Sequence, residues 1–405
     1  MSKARARRPL LSAMALGLLS VALAACGSST SPKSTASANS SNGTTTSDIV
    51  LGTIGQSSGV NDQPFFGGGL TLKAWADAEN AKGGIDGHQI RVITYDDGGN
   101  ASTALSDAKL LVADHVDAIV GQEDPDASTW AKLVDNAGIP VVGGNTADSL
   151  FGSDPNFYPV GSTTLGTFVA YVKQSGLQNV KGGVVYCTEA PVCAATVTPL
   201  RQALTQEHGT LVSSLPIAVT SPTFTAQCLS LKSSGAQLVF IAGPSETTFS
   251  VAQDCANQHY NPYFMDNATT VTQGAIEQLS GLSGVKMLYG SGDIPFFVTS
   301  TPATKAFHDA LQKYEPSILN PTTFTQNDMT TWASGQLVAA AIKASGSFTP
   351  SGIKNGLYEL HGVTLGNLTP PLSFKRGAAT TVMCAFSFAG TTSGFANPTL
   401  KAEYC

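Results

Sequence analysis

Basic side chains are scarce in this chain. Its 405 residues hold 22 Lys and Arg against 28 Asp and Glu, and charged residues make up only 12% of the total. So acidic a chain is poorly suited to holding phosphate backbones, and no nucleic-acid partner is expected. Catalytic patterns are also missing. The six histidines (His88, His115, His208, His259, His308, His361) are scattered, and none has the His-Glu-x-x-His spacing of a metalloprotease. Gly67, Gly68 and Gly69 precede a helix but lack the Lys-Ser/Thr of a phosphate loop, so they read as a flexible helix entry. Glu123 and Asp124 are sequence neighbours, and adjacent carboxylates seldom serve as opposed acid and base. Neither an enzyme nor a cofactor is expected. No metal site is expected either, because no Cys-x-x-Cys occurs with a partnering histidine. Beyond residue 25 nothing resembles a membrane span.

The apolar run that does occur, residues 10–25, follows Lys3, Arg5, Arg7 and Arg8. A charged region before a hydrophobic one is the order of a secretory signal. It closes on Leu23-Ala24-Ala25-Cys26, which resembles the lipobox of bacterial lipoproteins. That resemblance implies cleavage after residue 25, diacylation of the Cys26 thiol, and a lipid anchor on the extracytoplasmic face of the cell membrane. An ordinary secretory signal with an incidental cysteine is the alternative. Residues 26–47 are nearly all Ser, Thr, Gly, Asn, Ala and Pro. Such a segment cannot bury enough surface to offset its ordering entropy, so a flexible tether is expected. Residues 1–25 carry four basic and no acidic side chains, so their removal takes the net charge from -6 to about -10. It also leaves six of the seven cysteines, an even set in an oxidising compartment. Sequence leaves their pairing open. The most local arrangement joins Cys187 to Cys193, Cys228 to Cys255 and Cys384 to Cys405.

About 358 residues remain from Asp48 onward, more than one core usually accommodates, so two lobes are expected. Strand and helix patterns alternate: strands at 48–55, 89–95, 118–120 and 140–142, with helices at 70–81, 102–114 and 128–137. Gly83-Gly84 suit the left-handed turn that ends the first helix. In 102–114, Leu105, Ala108, Leu111 and Val112 share one helical face. The alternation restarts with helix 165–175 and continues through the strand at 263–265. Runs of βαβ units of this kind imply α/β lobes with parallel, doubly wound sheets.

Residues 48–145 resemble the substrate-binding proteins of branched-chain amino acid ABC transporters, which are type I periplasmic binding proteins. The segments carrying the resemblance are DIVLGTIGQSSG, WADAENAKGGIDGHQIRVITYDDGGNASTALSDAKLLV, VDAIVG and AGIPVVG. It is densest over residues 80–97 and weakens in the last hundred. It implies a monomer of two α/β lobes joined by three crossovers, with a small-molecule solute held between them and delivered to an ABC permease. Carried onto this chain, the N-terminal lobe comprises 48–160 and 291–347, and the C-terminal lobe 161–290 and 348–405. The third crossing would fall near 348–352, with final strands at 371–374 and 381–388. A sensory receptor of the same fold is the alternative, and neighbouring permease and ATPase genes would decide between the two.

In open α/β sheets ligands sit beyond the C-terminal strand ends, where helix N-termini offer free N–H groups. The loops there are 56–66, 121–128 and 143–148 in the first lobe, and 188–193, 243–247 and 266–270 in the second. The resemblance implies ligand contacts from Gly144 and Thr146, and from Asp266 as receiver of an ammonium group, and Asn145 is a further candidate in the same loop. Asn267, Thr188 and Ser245 occupy equivalent loops. Phe65 and Phe66, and Phe296 beside Phe297, are candidate apolar walls. The chain departs from the family at Glu123, Asp124 and Asp126, where amino-acid binders carry small hydroxyl residues. Those acids either touch ligand or are turned away, and Asp124 or Asp126 could instead cap the next helix. Pro191 and Cys193 depart as well. A solute with cationic, amide or hydroxyl groups, or a small aromatic one, is as compatible as a branched-chain amino acid.

Overall fold

The computed structural model describes residues 47–59, 65–125, 127–145, 147–189, 191–282 and 284–405. The expectations for Cys26, the tether, Asp126 and Thr146 lie outside them. Among the described residues, no helix is long and apolar enough to cross a membrane.

The first sheet contains β1 (Ile49–Gly55), β2 (Ile90–Asp96), β3 (Ala118–Gln122), β4 (Val141–Gly144) and β5 (Phe157–Tyr158). Its order is β2-β1-β3-β4-β5, with every pairing parallel. The second contains β6 (Lys181–Cys187), β7 (Thr210–Ile217), β8 (Leu238–Ala242), β9 (Tyr263–Asn267) and β10 (Lys286–Ser291). A short pair, β11 (His361–Val363) and β12 (Leu372–Ser373), stands apart, while β13 (Phe386–Thr391) and β14 (Gly394–Ala396) extend the second sheet. That sheet runs β14-β13-β10-β9-β8-β6-β7, and β13 joins it antiparallel to β10. Helices cover both faces of a parallel sheet, so its inner strands are apolar on both sides. Accordingly β3 and β8 are buried at every residue. The edge strands β2 and β7 alternate in exposure instead.

Helix boundaries follow local chemistry. Asn100 caps Ala101–Ala113 by accepting from the N–H groups of Ser102 and Thr103. That helix buries Ala104, Ala108 and Leu111, with Leu105 and Val112 at the margin of the same core. Thr301 and Thr304 form a capping box on Pro302–Tyr314, and Thr325 with Asp328 forms another on Gln326–Ser345. The glycine turn after the first helix is present, with φ of +104° at Gly83 and +78° at Gly84.

Three chain passages connect the layers around the two sheets. The first two touch where the Ser162 N–H donates to the Gly292 carbonyl at 2.9 Å. Gly161 permits this approach, since a Cβ there would lie 2.7 Å from the Gly292 carbonyl carbon. The third falls later than expected. Residues 350–374 do not leave for the second sheet: helix Pro350–Glu359 packs on Gln326–Ser345. The Tyr358 and Tyr158 hydroxyls are 2.8 Å apart, and Phe374 meets Tyr158 edge-on at 5.5 Å. The chain then crosses by Val382, whose carbonyl accepts from the Thr163 N–H at 2.9 Å. β13 starts where its ladder with β10 begins, at Phe386 opposite Ser291, and not at residue 381. The crossing thus lies between residues 374 and 382, not at 348–352.

All three local disulfides form: Cys187–Cys193, Cys228–Cys255 and Cys384–Cys405. Cys228–Cys255 ties helix Thr225–Ser234 to helix Ser245–Asn257, and both cysteines are fully buried.

Candidate functional site

Polar residues collect at the C-terminal strand ends of both sheets, although the strands behind them are apolar. In the second lobe Asp266, at the end of β9, is fully buried. One carboxylate oxygen accepts from Ser245 Oγ at 2.9 Å, and the other from the Asn267 N–H at 2.9 Å. Ser245 Oγ also lies 3.3 Å from Thr270 Oγ1. Burial pushes Asp266 up to about 7, against these hydrogen bonds. Asn267 itself caps the turn Ala268–Thr270 through its side chain. Ser245, Asp266, Asn267 and Thr270 therefore form one connected set. Thr188 stands apart, with both its N–H and its hydroxyl donating to the Ile217 carbonyl.

In the first lobe, Gly144 ends β4 with φ +138°, and a Cβ there would lie 2.2 Å from the Gln122 carbonyl oxygen. This close approach brings the Asn145 N–H within 2.9 Å of the same oxygen. Asn145 is buried, and its Oδ1 accepts from the Ala147 N–H. Asp124 is also buried, but its Oδ2 accepts from Trp130 Nε1 at 2.5 Å and its N–H donates to Gln122 Oε1. Trp130 belongs to the core on the other side of the sheet, so Asp124 is a structural partner of that indole. Phe296 is likewise core. It is fully buried and meets Phe297, Phe324 and Phe395 edge-on. Phe65 and Phe66 are half-buried.

Glu123 points to the opposite face from Asp124. It is 1% exposed, and its Oε1 accepts from Thr331 Oγ1 at 3.3 Å while Oε2 has no partner. Burial first, then the charges of Asp328 and Asp293, raise it well above the ordinary carboxylate range. Sequence reasoning missed both of those acids. Asp328 sits in the first turn of Gln326–Ser345, accepting from Thr71 Oγ1 at 3.0 Å and the Thr325 N–H at 2.9 Å. The Thr-x-x-Asp spacing of residues 325–328 was its available signal. Asp293, on the second passage, accepts from Gln326 Nε2 at 2.5 Å and leaves Oδ2 without a partner. Burial pushes both up to about 7.

Gly67 and Gly68 acquire a reason here. A Cβ at Gly67 would lie 1.8 Å from Asp328 Oδ1, and one at Gly68 would lie 2.8 Å from Glu123 Cγ. The glycine run is the space that two carboxylates occupy. Two helix N-termini, of Gly68–Asn80 and Gln326–Ser345, supply the positive dipole ends that temper their repulsion. Among the described residues, no ion pair involves Glu123, Asp266, Asp293 or Asp328, and no group of acids, histidines or cysteines could hold a metal ion.

The two polar regions meet at the lobe junction. Thr272, just beyond the Asp266 turn, forms a β-bridge with Thr325 at the start of the long helix. The Gln273 and Gly274 N–H groups donate to the carbonyls of Phe324 and Pro321. The run Gly55-Gln56-Ser57-Ser58-Gly59 has the Gly-x-Ser-x-Gly spacing of a nucleophile elbow. Among the described residues the next helix starts at Gly68, and no histidine lines the pocket beside Ser57. A serine triad is not assembled there.

A family model described as periplasmic binding protein matches residues 48–394, and the chain belongs to that family. Solved structures share the fold. An extracellular ligand-binding receptor from Verminephrobacter eiseniae is 17% identical, with 87% of this chain and 99% of that one covered at a TM-score of 0.73. The branched-chain amino acid transporter substrate-binding protein LivJ from Streptococcus pneumoniae, in complex with isoleucine, is 19% identical over 88% and 99%, with a TM-score of 0.69. A solute-binding protein of an ABC transporter from R. palustris, in complex with 4-hydroxybenzoate, is 19% identical over 88% and 97%, with a TM-score of 0.68. No curated protein matches the chain.

Proposed function

We propose that this protein captures a small polar solute between its two lobes and delivers it to an ABC permease, anchored to the outer face of the membrane through lipid on Cys26. One observation carries the reading: buried polar groups gather at the C-terminal ends of two parallel sheets, and the sheets' lobes meet at that place. Asp266, Ser245 and Thr270 supply one side, and Asn145 with the Gln122 carbonyl supplies the other. A buried carboxylate that accepts from Ser245 and Asn267 at 2.9 Å keeps lone pairs for a solute N–H. Family membership supports solute binding. Isoleucine and 4-hydroxybenzoate in relatives of this fold mean that solute choice rests with each chain's own side chains.

Closure requires a solute that prefers the closed arrangement. In a thermal-shift screen of amino acids, amides, amines and aromatic acids, at least one solute should raise the melting temperature and shrink the radius of gyration in scattering. Stabilisation without compaction would refute closure. Membrane release of Cys26→Ala checks the anchor, and retention of that variant in the membrane fraction would overturn it.

A further inference from the structure

The pocket beneath Ser57 and Phe65 stands apart from Asp266 and its partners. It holds about 160 Å³ between β1, β2 and the helix Gly68–Asn80, and its lining includes Ser57, Phe65, Lys73, Tyr95, Asp96 and Glu123. Ligand pockets for drug-sized molecules are several times larger, so this one suits a small molecule or one end of a longer one.

Its electrostatics are one-sided. Asp96 accepts through one oxygen from the N–H groups of Ser57, Ser58 and Gly98 at 3.0, 3.2 and 3.1 Å. Burial works against its ionised form, but these bonds outweigh it and hold Asp96 below the ordinary carboxylate value. Glu123 contributes a second carboxylate, 1% exposed, whose Oε2 has no partner. Lys73 does not neutralise them. Its ammonium is engaged by Glu315 at 2.5 Å and lies 3.9 Å from Asp77. Phe65 and Tyr95 supply aromatic surface beside the two acids, and aromatic faces attract organic cations.

We propose that this pocket binds a protonated organic amine, with Glu123 Oε2 as its charged hydrogen-bond acceptor and Asp96 as the second negative wall. The pocket is lined by the first lobe alone, so this site is additional to the interlobe one of the solute-capture reading and is tested separately from it. An unpartnered buried carboxylate is costly to keep, and burial with the neighbouring acids favours neutral Glu123 until a cation arrives. An ammonium donating to it would satisfy its lone pairs and balance the repulsion it shares with Asp328 and Asp293. A solute carboxylate would meet two acids and no free base, and would be rejected.

The probes are putrescine, cadaverine and benzylamine, set against isobutyramide, isovalerate and 4-hydroxybenzoate, read by calorimetry and thermal shift at pH 8. At least one cation should bind, and Glu123→Gln should weaken it ten-fold or more. Phe65→Ala, at the pocket wall, should weaken it several-fold and covers the case in which Glu123→Gln does not fold. Binding of a neutral or anionic probe with no cation bound overturns the amine assignment and leaves solute capture standing. Cation binding unchanged in both variants also overturns it. No binding by any probe overturns the amine assignment, and a failed broad screen would be needed to overturn capture as well.

Discussion

Replacing Asp293 by Asn should make the protein more stable at pH 8 and less stable at pH 4. Asp293 is fully buried on the second passage, accepts one bond from Gln326, and leaves Oδ2 without a partner. Burial pushes it from 3.8 to about 7. Its folded value thus lies above its unfolded value. Below pH 3.8 both states hold the proton and the group contributes no penalty. As pH rises from 3.8 to about 7, the unfolded chain loses the proton while the folded chain keeps it, and stability falls. Above about 7 both states are ionised and the loss stays at its maximum. At about 1.4 kcal/mol per pH unit, this window corresponds to a loss of about 4 kcal/mol. Asn keeps the shape and an acceptor for Gln326, but its amide places donors where Oδ2 had no partner, which costs about 1–3 kcal/mol. The net expectation is a gain of about 1–3 kcal/mol at pH 8, turning to a loss of about 1–3 kcal/mol at pH 4. Urea unfolding followed by tryptophan fluorescence at pH 4, 6 and 8 measures the difference directly. Wild-type and variant free energies should cross between the extremes. A difference of one sign and size at all three pH values would refute the assignment of Asp293 as a buried, unpaired carboxylate.

Trp130→Phe removes the indole hydrogen bond to the buried Asp124 carboxylate. It should lower stability by about 2–4 kcal/mol in urea unfolding at pH 7, while Trp130→Phe combined with Asp124→Asn should recover part of the loss. Replacing Cys228 and Cys255 by Ala together frees a loop of sequence separation 27. Chain entropy alone assigns that closure about 3–4 kcal/mol, visible as a drop in the denaturation midpoint that added reductant no longer deepens at this bridge.

The alternation of apolar strands and amphipathic helices was sufficient to identify two parallel α/β layers, because covering a parallel sheet on both faces leaves its strands continuously apolar. Cysteine spacing pointed to the three local bridges without deciding among the alternatives, since loop closure favours near partners but does not exclude distant ones. Ser245, Asp266 and Asn267 were legible as candidates because they stand at or just beyond strand ends. Residues 348–374 were not. The crossing expected near 348–352 and the strand at 371–374 assigned them to the second lobe, and only packing against Gln326–Ser345 and Tyr158 holds them on the first. The acids show the same division. Sequence placed Glu123 and Asp124 side by side in one loop, but neighbouring residues there point to opposite faces. One is taken by Trp130 and the other by the cluster with Asp293 and Asp328, acids 170 and 205 positions further along the chain. Composition and periodicity determine which segments must be buried. Which charges share that burial depends on the crossings that bring distant segments together, and those are decided only in three dimensions.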